Sequence, residues 1–373
     1  MTTLLLAVFF IFSAIAFASD LAEPRPSPYW WVLVYAASTG LVAVGYMLVS
    51  TRFVRALPLA IALNLLSIFG LPKLLPLYST KVPAATTVAQ LHQRHLLDAW
   101  FVIGVVFLGY MLFYTFVSTE GAKYYRLRTE IELAERVQSE LVPTLHLNTA
   151  TLEVYGRSIP SSSVGGDLVD AVPLDGTVMC YLADVSGHGI AAGVLMSMVK
   201  SAIRTAVSHG TSLVEVMERL NAVLLHLKAP NMYVTLACLR YVDSGSLEYS
   251  LAGHPPILHY HRSTQGVFQL KMEQLPIALF GTAKYQSITI AIEPGDLLVA
   301  VSDGFLEVAS RASEDFGWER FERLVVRNAK EPLQRIAERL VEETARFGRQ
   351  EDDQSILLIR AVYRQPKQPV DKL

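Results

Sequence analysis

Residues 178–189 read VMCYLADVSGHG, an apolar run that ends in an acidic, glycine-rich turn. The run has the length and composition of a buried strand, and Asp184 stands where that strand ends. Three further aspartates also lie at the edge of an apolar run beside glycine or serine. They are Asp167 in Gly-Gly-Asp, Asp303 in Ser-Asp-Gly and Asp352 in Glu-Asp-Asp-Gln-Ser. A strand end can present such a carboxylate to an open site instead of burying it unpaired.

Carboxylates that converge on one point repel each other unless cations neutralise them. Oxygen ligands of this kind suit hard divalent ions such as Mg²⁺ or Mn²⁺. The four aspartates therefore predict a two-metal hydrolase. A water shared by two cations is acidified enough to supply hydroxide near neutral pH, so this chemistry needs no side-chain nucleophile.

Composition limits the class of protein. The chain has 373 residues, of which 52% are apolar, and the apolar excess is concentrated before residue 119. This length predicts two or three units. A formal net charge of −2, with no basic stripe, argues against a nucleic-acid partner. Cys180 and Cys238 lie in apolar, strand-like runs, which is typical of unpaired cysteines in a reducing compartment.

The first 118 residues form a predicted membrane region. Residues 30–50 and 97–118 are uncharged enough and long enough to cross a bilayer as helices. Residues 56–72 are a third predicted span, interrupted by prolines and by Asn64, which we interpret as a polar contact between helices. Residues 4–18 are either a cleaved signal peptide or a retained first helix, and the sequence leaves both open. We interpret His92 and His95 as residues of a solvated loop.

Either alternative for residues 4–18 places the C-terminal half in the cytoplasm. The basic residues agree with this orientation, since they follow the second and the last predicted spans at positions 52, 55, 123, 126 and 128. The sequence therefore predicts a multi-pass protein of the cytoplasmic (inner) membrane, in contact with lipid.

Residues 119–145 form a predicted helical linker. Its apolar stripe has alternating spacings of three and four, at Tyr124, Leu127, Ile131, Ala134, Gln138 and Leu141. One interpretation is a parallel homodimer seam that carries a signal to the following domain. The other is an amphipathic helix packed on its own domain. Pro143 ends the helix.

Residues 146–365 form the predicted catalytic domain, and residues 366–373 a flexible tail. Strand-like runs cover residues 152–156, 178–182, 233–241, 246–251, 257–260, 288–292, 297–301 and 355–361, and helical runs cover about 191–207, 212–227, 319–328 and 332–344. Short turns join most successive strands, so antiparallel pairing dominates. The economical packing is an α+β fold with a two-sheet core and outer helices.

Five motifs in this half follow a fixed order. They are Val164–Asp167, residues 183–189, Ala252–Pro256, Val301–Gly304 and residues 352–355. Together they resemble the PPM-type (PP2C-like) serine/threonine phosphatases of bacteria, in the SpoIIE/RsbU branch. The resemblance covers about residues 130–365, and residues 131–138 with 141–143 resemble the helix that precedes this domain in that branch.

The resemblance implies a phosphoprotein phosphatase with an α-β-β-α sandwich and two Mn²⁺ or Mg²⁺ ions. Asp184 corresponds to the bridging carboxylate, and the carbonyl of Val185 to a further ligand. Asp167, Asp303 and Asp352 match the remaining acidic metal ligands, with Asp184 and Asp303 acting in catalysis through water held by the ions. Asp353 matches the ligand position less well than Asp352. The resemblance also implies a phosphorylated cytoplasmic partner, a STAS-type anti-sigma-factor antagonist.

Other polar residues of the motifs have a structural and a functional interpretation. His188 is either a proton donor to the leaving group or a loop residue, and His254 is expected to fix a turn. Asp170 is either a supporting residue or a cap. No arginine directly precedes Gly165, where eukaryotic relatives bind phosphate, and Arg157 is the nearest such residue. The metals would then bind most of the phosphate.

Two competing functions remain at this point. One is a weakly active sensor module with the same fold that binds a partner, although such a module has no need of clustered carboxylates. The other is a nucleotide cyclase, because Gly-Gly-Asp after a signalling helix is part of the diguanylate cyclase signature. Leu168-Val169 replaces the Glu-Phe that completes that signature.

Overall fold

The computed structural model describes residues 2–22, 27–52, 58, 61–62, 87–174, 176–187, 189–208, 212–242 and 245–362. The chain divides into two compact units, residues 1–128 and 129–373.

Long apolar helices make up the described part of the first unit. They are α1 (Thr2–Ala22), α2 (Tyr29–Arg52) and α3 (Val88–Phe116). Helix α1 packs against both α2 and α3. Ala16 and Phe17 of α1 share a buried cluster with Val32 and Ala36 of α2. The predicted third span and Asn64 lie outside the described residues, apart from positions 58, 61 and 62.

An ion-pair cluster joins one end of these three helices. The Arg94 guanidinium of α3 donates to Asp20 of α1 at 3.0 Å and to Asp98 of α3 at 3.4 Å. The same guanidinium lies 3.5 Å from the ring centroid of Tyr29, at the start of α2. Such pairing reduces the cost of burying charge, because each ion keeps a partner of opposite sign.

Helix α3 begins nine residues before the predicted span. Thr87 and Gln90 form a capping box, which satisfies free backbone donors of the first turn and lets the helix start in polar sequence. His92 and His95 therefore lie on a helix rather than in the predicted loop.

The predicted linker is helical in the structure. A π-helical segment, Val117–Gly121, follows α3, and α4 covers Ala122–Leu141. Within the predicted apolar stripe, Gln138 is buried and Leu141 packs against the core of the second unit. The side chains of Tyr124 and Leu127 lie outside the described residues.

Two antiparallel sheets form the centre of the second unit. Their strands are β1 (Leu145–Asn148), β2 (Leu152–Ile159), β3 (Leu168–Leu174), β4 (Thr177–Val185), β5 (Val234–Val242), β6 (Ser246–Ala252), β7 (Ile257–Tyr260), β8 (Val267–Leu270), β9 (Ile288–Ala291), β10 (Leu297–Val301) and β11 (Gln354–Ala361). The first sheet has the order β1-β2-β11-β10-β7-β8, and the second β3-β4-β5-β6-β9. A shared apolar cluster lies between the sheets.

Helices cover both outer faces of this pair of sheets. Helices α5 (Ile190–Ser208) and α6 (Leu213–Leu227) pack on the second sheet, and α7 (Gly317–Asn328) and α8 (Leu333–Phe347) on the first. A separate apolar cluster fills each helix–sheet interface. The predicted α+β fold class is confirmed.

Four described helices are long and apolar enough to cross a membrane, as judged by length and composition: Thr2–Ala22, Tyr29–Ser50, Val88–Gly121 and Ile190–Val207. The fourth is α5. Because Met196, Val199 and Ile203 of α5 are fully buried against the second sheet, we assign this helix to the globular core.

The predicted strand pattern omits three strands, and all three are sheet edges. Strands β1 and β8 are four-residue edges of the first sheet, and β3 is an edge of the second. Strand β3 contains Asp170 and Pro173, residue types that are depleted in strands. An edge tolerates proline because its free side needs no backbone donor.

Asp170 explains how β3 holds its place. Its carboxylate accepts hydrogen bonds from Arg204 of α5 at 2.8 and 2.9 Å and from the Tyr181 hydroxyl at 2.7 Å. Lys200 lies 3.5 Å away, and its ammonium also donates to the Leu141 carbonyl. Burial raises the pKa of Asp170, but these donors more than offset it and lower the pKa overall. Asp170 is thus an anchor between β3 and α5.

We expect Asp170→Ala to lower the free energy of unfolding of the second unit by about 3 kcal/mol. The variant leaves the buried Tyr181 hydroxyl without its acceptor, and the half-exposed Arg204 keeps the cost at the low end for a broken buried pair. Urea unfolding of the full chain in detergent, followed by circular dichroism, measures the change.

The matched control is Glu319→Gln, which removes an exposed pair with Arg323 on α7. Such a pair contributes no more than about 0.5 kcal/mol. Equal midpoints for the two variants would contradict the anchoring role of Asp170.

Candidate metal centre

Asp167 and Asp184 lie at the same end of the second sheet. The antiparallel register pairs Leu168 with Ala183, so Asp167 stands opposite Asp184. Asp167 is 1% exposed, and neither of its carboxylate oxygens forms a close hydrogen bond with the described residues, although the nearby Ser355 and Ser302 hydroxyls favour its charged form. Burial and the neighbouring charge of Asp184 raise the pKa of Asp167 well above its ordinary value.

Asp303 and Asp352 lie at the corresponding end of the first sheet. Asp303 opens a 3₁₀ turn after β10, and Asp352 precedes β11. The Ser302 backbone amide donates to the Ser355 carbonyl at 3.0 Å, which joins the two segments. Burial and the charge of Asp352 raise the pKa of Asp303.

Asp184 connects the two sheets electrostatically. Burial, followed by the charges of Asp303 and Asp352, raises the pKa of Asp184 to about 7. The four aspartates predicted from sequence thus form one acidic cluster between the sheet ends. A carboxyl group is ordinarily ionised at neutral pH, but Asp184 in this cluster keeps its proton up to about pH 7.

The residue beside Asp352 has a different task. Asp353 accepts hydrogen bonds from the Gly166 amide at 2.7 Å and from the amide and hydroxyl of Ser161 at 2.7 and 3.1 Å. Both of its oxygens are therefore used in joining the Gly-Gly-Asp loop to the start of β11. This geometry leaves Asp352 as the more available ligand of the pair.

Gly166 allows a close approach of the Val185 backbone. A Cβ at Gly166 would lie 2.7 Å from the Val185 carbonyl oxygen, so any larger residue would displace the loop that carries Asp167. The carbonyl predicted as a ligand therefore lies beside that loop.

These residues fit a site for divalent cations. The donors are carboxylate and carbonyl oxygens, which suit Mg²⁺ or Mn²⁺. The oxygens of Asp167, which form no close hydrogen bond with the described residues, are costly to bury unless they bind something positive. Two basic side chains of α5, Arg204 and Lys200, are paired with Asp170 and therefore do not supply this positive charge.

Sequence reasoning missed the role of Gln138 at this centre. Its side-chain oxygen accepts from the Gly165 amide at 2.9 Å, and its side-chain nitrogen donates to the Gly165 carbonyl at 3.1 Å. A Cβ at Gly165 would collide with the Asp353 carboxylate. Helix α4 is therefore hydrogen-bonded directly to the loop that carries Asp167. The signal in the sequence was the glutamine at an apolar position of the helical stripe.

A cleft of about 440 Å³ opens beside Asp303. Its other lining residues include His254, Glu307, Asp315 and Trp318. The last three carry no motif, which is why sequence reasoning missed them. Asp303 is therefore accessible from this cleft.

The remaining predicted residues do not join the cluster. His254 is buried, its Nδ1 lies 2.8 Å from the Pro255 carbonyl, and burial lowers its pKa to about 4. It is neutral at pH 7 and fixes a turn, as expected. Arg157 interacts with Tyr155 and with Glu338 of α8, on the helix-covered face of the first sheet. His188 lies outside the described residues.

We expect metal-free Asp184→Asn to be more stable than the metal-free wild type at pH 8, by more than about 1 kcal/mol. The native pKa of about 7 exceeds the unfolded value of about 3.9, so the native state binds more protons between these values. Wild-type stability therefore falls as pH rises through this window and levels off above pH 7. The advantage of the amide should narrow by about 1 kcal/mol at pH 6.

Urea unfolding in the presence of a chelator measures both effects. Glu319→Gln is again the control and should follow the wild type at both pH values. If metal-free Asp184→Asn were less stable than the metal-free wild type, the conclusion that the charge of Asp184 destabilises the metal-free cluster would be wrong.

Comparisons with known proteins identify the family of the second unit. The family model described as Stage II sporulation protein E (SpoIIE) matches residues 174–362. Phosphoserine phosphatase RsbU of Bacillus subtilis (strain 168) is 29% identical over 214 residues, which is 57% of this chain and 63% of RsbU. The chain thus aligns with less than two thirds of that relative.

Two solved structures share the fold. The SiaA-PP2C domain of Pseudomonas aeruginosa matches with a TM-score of 0.57 and 20% identity, over 64% of this chain and 98% of that one. The RsbU and RsbW domains of Rv1364c from Mycobacterium tuberculosis match with a TM-score of 0.52 and 24% identity, over 60% and 63%. At these identities the structures support the fold alone. With the family model covering half of its length, the chain belongs to the SpoIIE family, whose fold is PP2C-like.

Proposed function

We propose that this protein is a membrane-anchored, metal-dependent serine/threonine phosphatase that hydrolyses phosphoserine or phosphothreonine on a cytoplasmic regulatory protein. The observation that carries the proposal is the buried Asp167 carboxylate without a close hydrogen bond to the described residues, opposite an Asp184 whose pKa is raised to about 7. Similarity to the phosphoserine phosphatase RsbU supports the same class of reaction.

The proposed metal ligands are Asp167, Asp184, Asp303 and Asp352, with the Val185 carbonyl. Two bound Mn²⁺ or Mg²⁺ ions would supply an acidified water and neutralise charge on the phosphate oxygens. Asp184 must be ionised for this role, so it would release its proton when the cations bind.

The protein's own contribution is to hold these groups in place. Asp353 and Gln138 fix the two glycines that precede Asp167, from β11 and from α4 respectively. The cleft beside Asp303 receives the phosphorylated side chain. Arg157 is engaged with Tyr155, so the cations would bind most of the phosphate, and affinity for a substrate would depend on protein–protein contacts.

The proposed substrate is a phosphorylated STAS-type anti-sigma-factor antagonist. This partner follows from the resemblance to the SpoIIE/RsbU branch, and the similarity to the phosphoserine phosphatase RsbU supports a phosphoserine substrate.

We further propose that α1, α2, the segment at residues 56–72 and α3 cross the cytoplasmic membrane, with residues 146–365 in the cytoplasm. The packing of α1 against α2 and α3 supports a retained first helix rather than a cleaved signal peptide.

A homodimer through the linker is a separate part of the proposal. Gln138, which belongs to the predicted seam, is engaged with Gly165 of its own chain. Leu133 and Val137 of α4 are 62% and 50% exposed, so these apolar side chains are available to a second copy.

The test is hydrolysis of para-nitrophenyl phosphate and of a phosphoserine STAS protein by the full chain in detergent. We expect activity to require Mn²⁺ or Mg²⁺ and to be abolished by a chelator. Asp184→Asn should lower kcat by at least about 100-fold, because it replaces a proposed metal-ligating carboxylate with a neutral amide. Glu319→Gln, on the exposed face of α7, should match the wild type.

Equal rates of hydrolysis with and without metal, or wild-type activity of the Asp184→Asn variant, would contradict the proposal of a metal-dependent phosphatase. A wild-type chain that binds Mn²⁺ and the STAS protein but hydrolyses neither substrate would instead favour the alternative, a sensor module with the same fold.

A further inference from the structure

A second group of metal-ligating side chains lies at the other end of β10. His259 of β7, His261 and Asp296 each offer one ligand atom, and these three atoms lie within 4.8 Å of one another. Asp296 directly precedes β10, whereas Asp303 follows it. At about 3.3 Å per strand residue, the two sites are roughly 20 Å apart.

Strand pairing places these three residues together. The register of β7 and β10 joins Tyr260 to Leu297, which sets His261 opposite Asp296. His259 points to the same face of β7 as His261, because side chains alternate along a strand. The two imidazole rings have centroids 4.1 Å apart, and His261 also packs edge-on against Phe268.

The distances within the group suit a bound cation. Asp296 Oδ2 lies 3.0 Å from His259 Nε2 and 3.3 Å from His261 Nδ1. Ligands at about 2.0–2.1 Å from a tetrahedral ion are separated by roughly 3.4 Å. A cation therefore fits between the three donors with small side-chain shifts, and the backbone need not move.

The carboxylate is also held as a metal ligand requires. Asp296 Oδ1 accepts from the Arg262 amide at 3.0 Å, and Oδ2 accepts from the Glu293 amide at 3.1 Å. Backbone donors of this kind orient a ligating carboxylate. Asp296 and His259 are almost fully buried, while the His261 side chain is 29% exposed and gives access from solvent.

We propose that His259, His261 and Asp296 form a second metal site, which binds Zn²⁺ or a similar transition-metal ion. Two imidazoles and one carboxylate are a typical zinc ligand set with an open fourth position, whereas the all-oxygen catalytic cluster suits Mn²⁺ or Mg²⁺. On binding, each imidazole moves its N–H proton to its other nitrogen and donates the freed lone pair to the ion.

The alternative is a hydrogen-bonded cluster that only stabilises the turn before β10. The two interpretations differ in metal binding, which can be measured without any phosphatase activity. The full chain carrying Asp184→Asn and Asp303→Asn, stripped of metal in detergent, provides the background because its catalytic cluster is disabled.

Titration of this protein with Co²⁺, and competition with Zn²⁺, is the experiment. We expect one ion per chain, with the strong visible bands of low-coordinate cobalt, and displacement of cobalt by Zn²⁺. His261→Ala should weaken binding by at least about tenfold. His226→Ala, an exposed histidine at the end of α6, should leave the affinity unchanged.

Arg262 provides a second variant, since its side chain lies over Gly295 beside the site. Arg262→Gln removes a positive charge and should tighten Zn²⁺ binding. Absence of the cobalt bands, or equal affinities for the background and its His261→Ala variant, would overturn the proposal. Thermal unfolding of each metal-free variant shows whether it is folded.

Discussion

Burial of neighbouring carboxylates, together with their mutual repulsion, is the constraint on which the second unit depends. Asp167, Asp184 and Asp303 are largely removed from water and lie within range of each other's charge, so all three have raised pKa values. An unliganded cluster of this kind is unfavourable at neutral pH. The rest of the unit must hold it together, and bound cations would make it favourable.

Hydrogen bonds and ion pairs outside the acidic cluster hold the ends of the sheets in place. Asp353 ties the Gly-Gly-Asp loop to β11, and Gln138 ties the same loop to α4. Asp170 ties β3 to α5 through Arg204. Acidic residues that are close in sequence thus have different roles. The surroundings of each residue, and not its type, determine its role. Helix α4 follows the apolar helices of the first unit in the chain, and its hydrogen bonds with Gly165 connect it directly to the loop that carries Asp167.

Much of this arrangement could be predicted from sequence. Central strands and amphipathic helices follow from apolar periodicity, and the four aspartates follow from their position at strand ends near glycine or serine. The edge strand β3 could not be predicted, because Asp170 and Pro173 disfavour a strand until Arg204 and the sheet edge accommodate them. The contact of Gln138 with Gly165 and the cleft residue Trp318 depend on tertiary packing, which no local pattern encodes.

The central claim is that the four aspartates meet around two cations. Anomalous diffraction from crystals of the full chain grown with Mn²⁺ tests it most directly. We expect two manganese peaks bounded by Asp167, Asp184, Asp303 and Asp352, with the Val185 carbonyl as a ligand to one of them. Saturating manganese that leaves no peak among these residues, or crystals in which Asp184 and Asp303 lie apart, would contradict it.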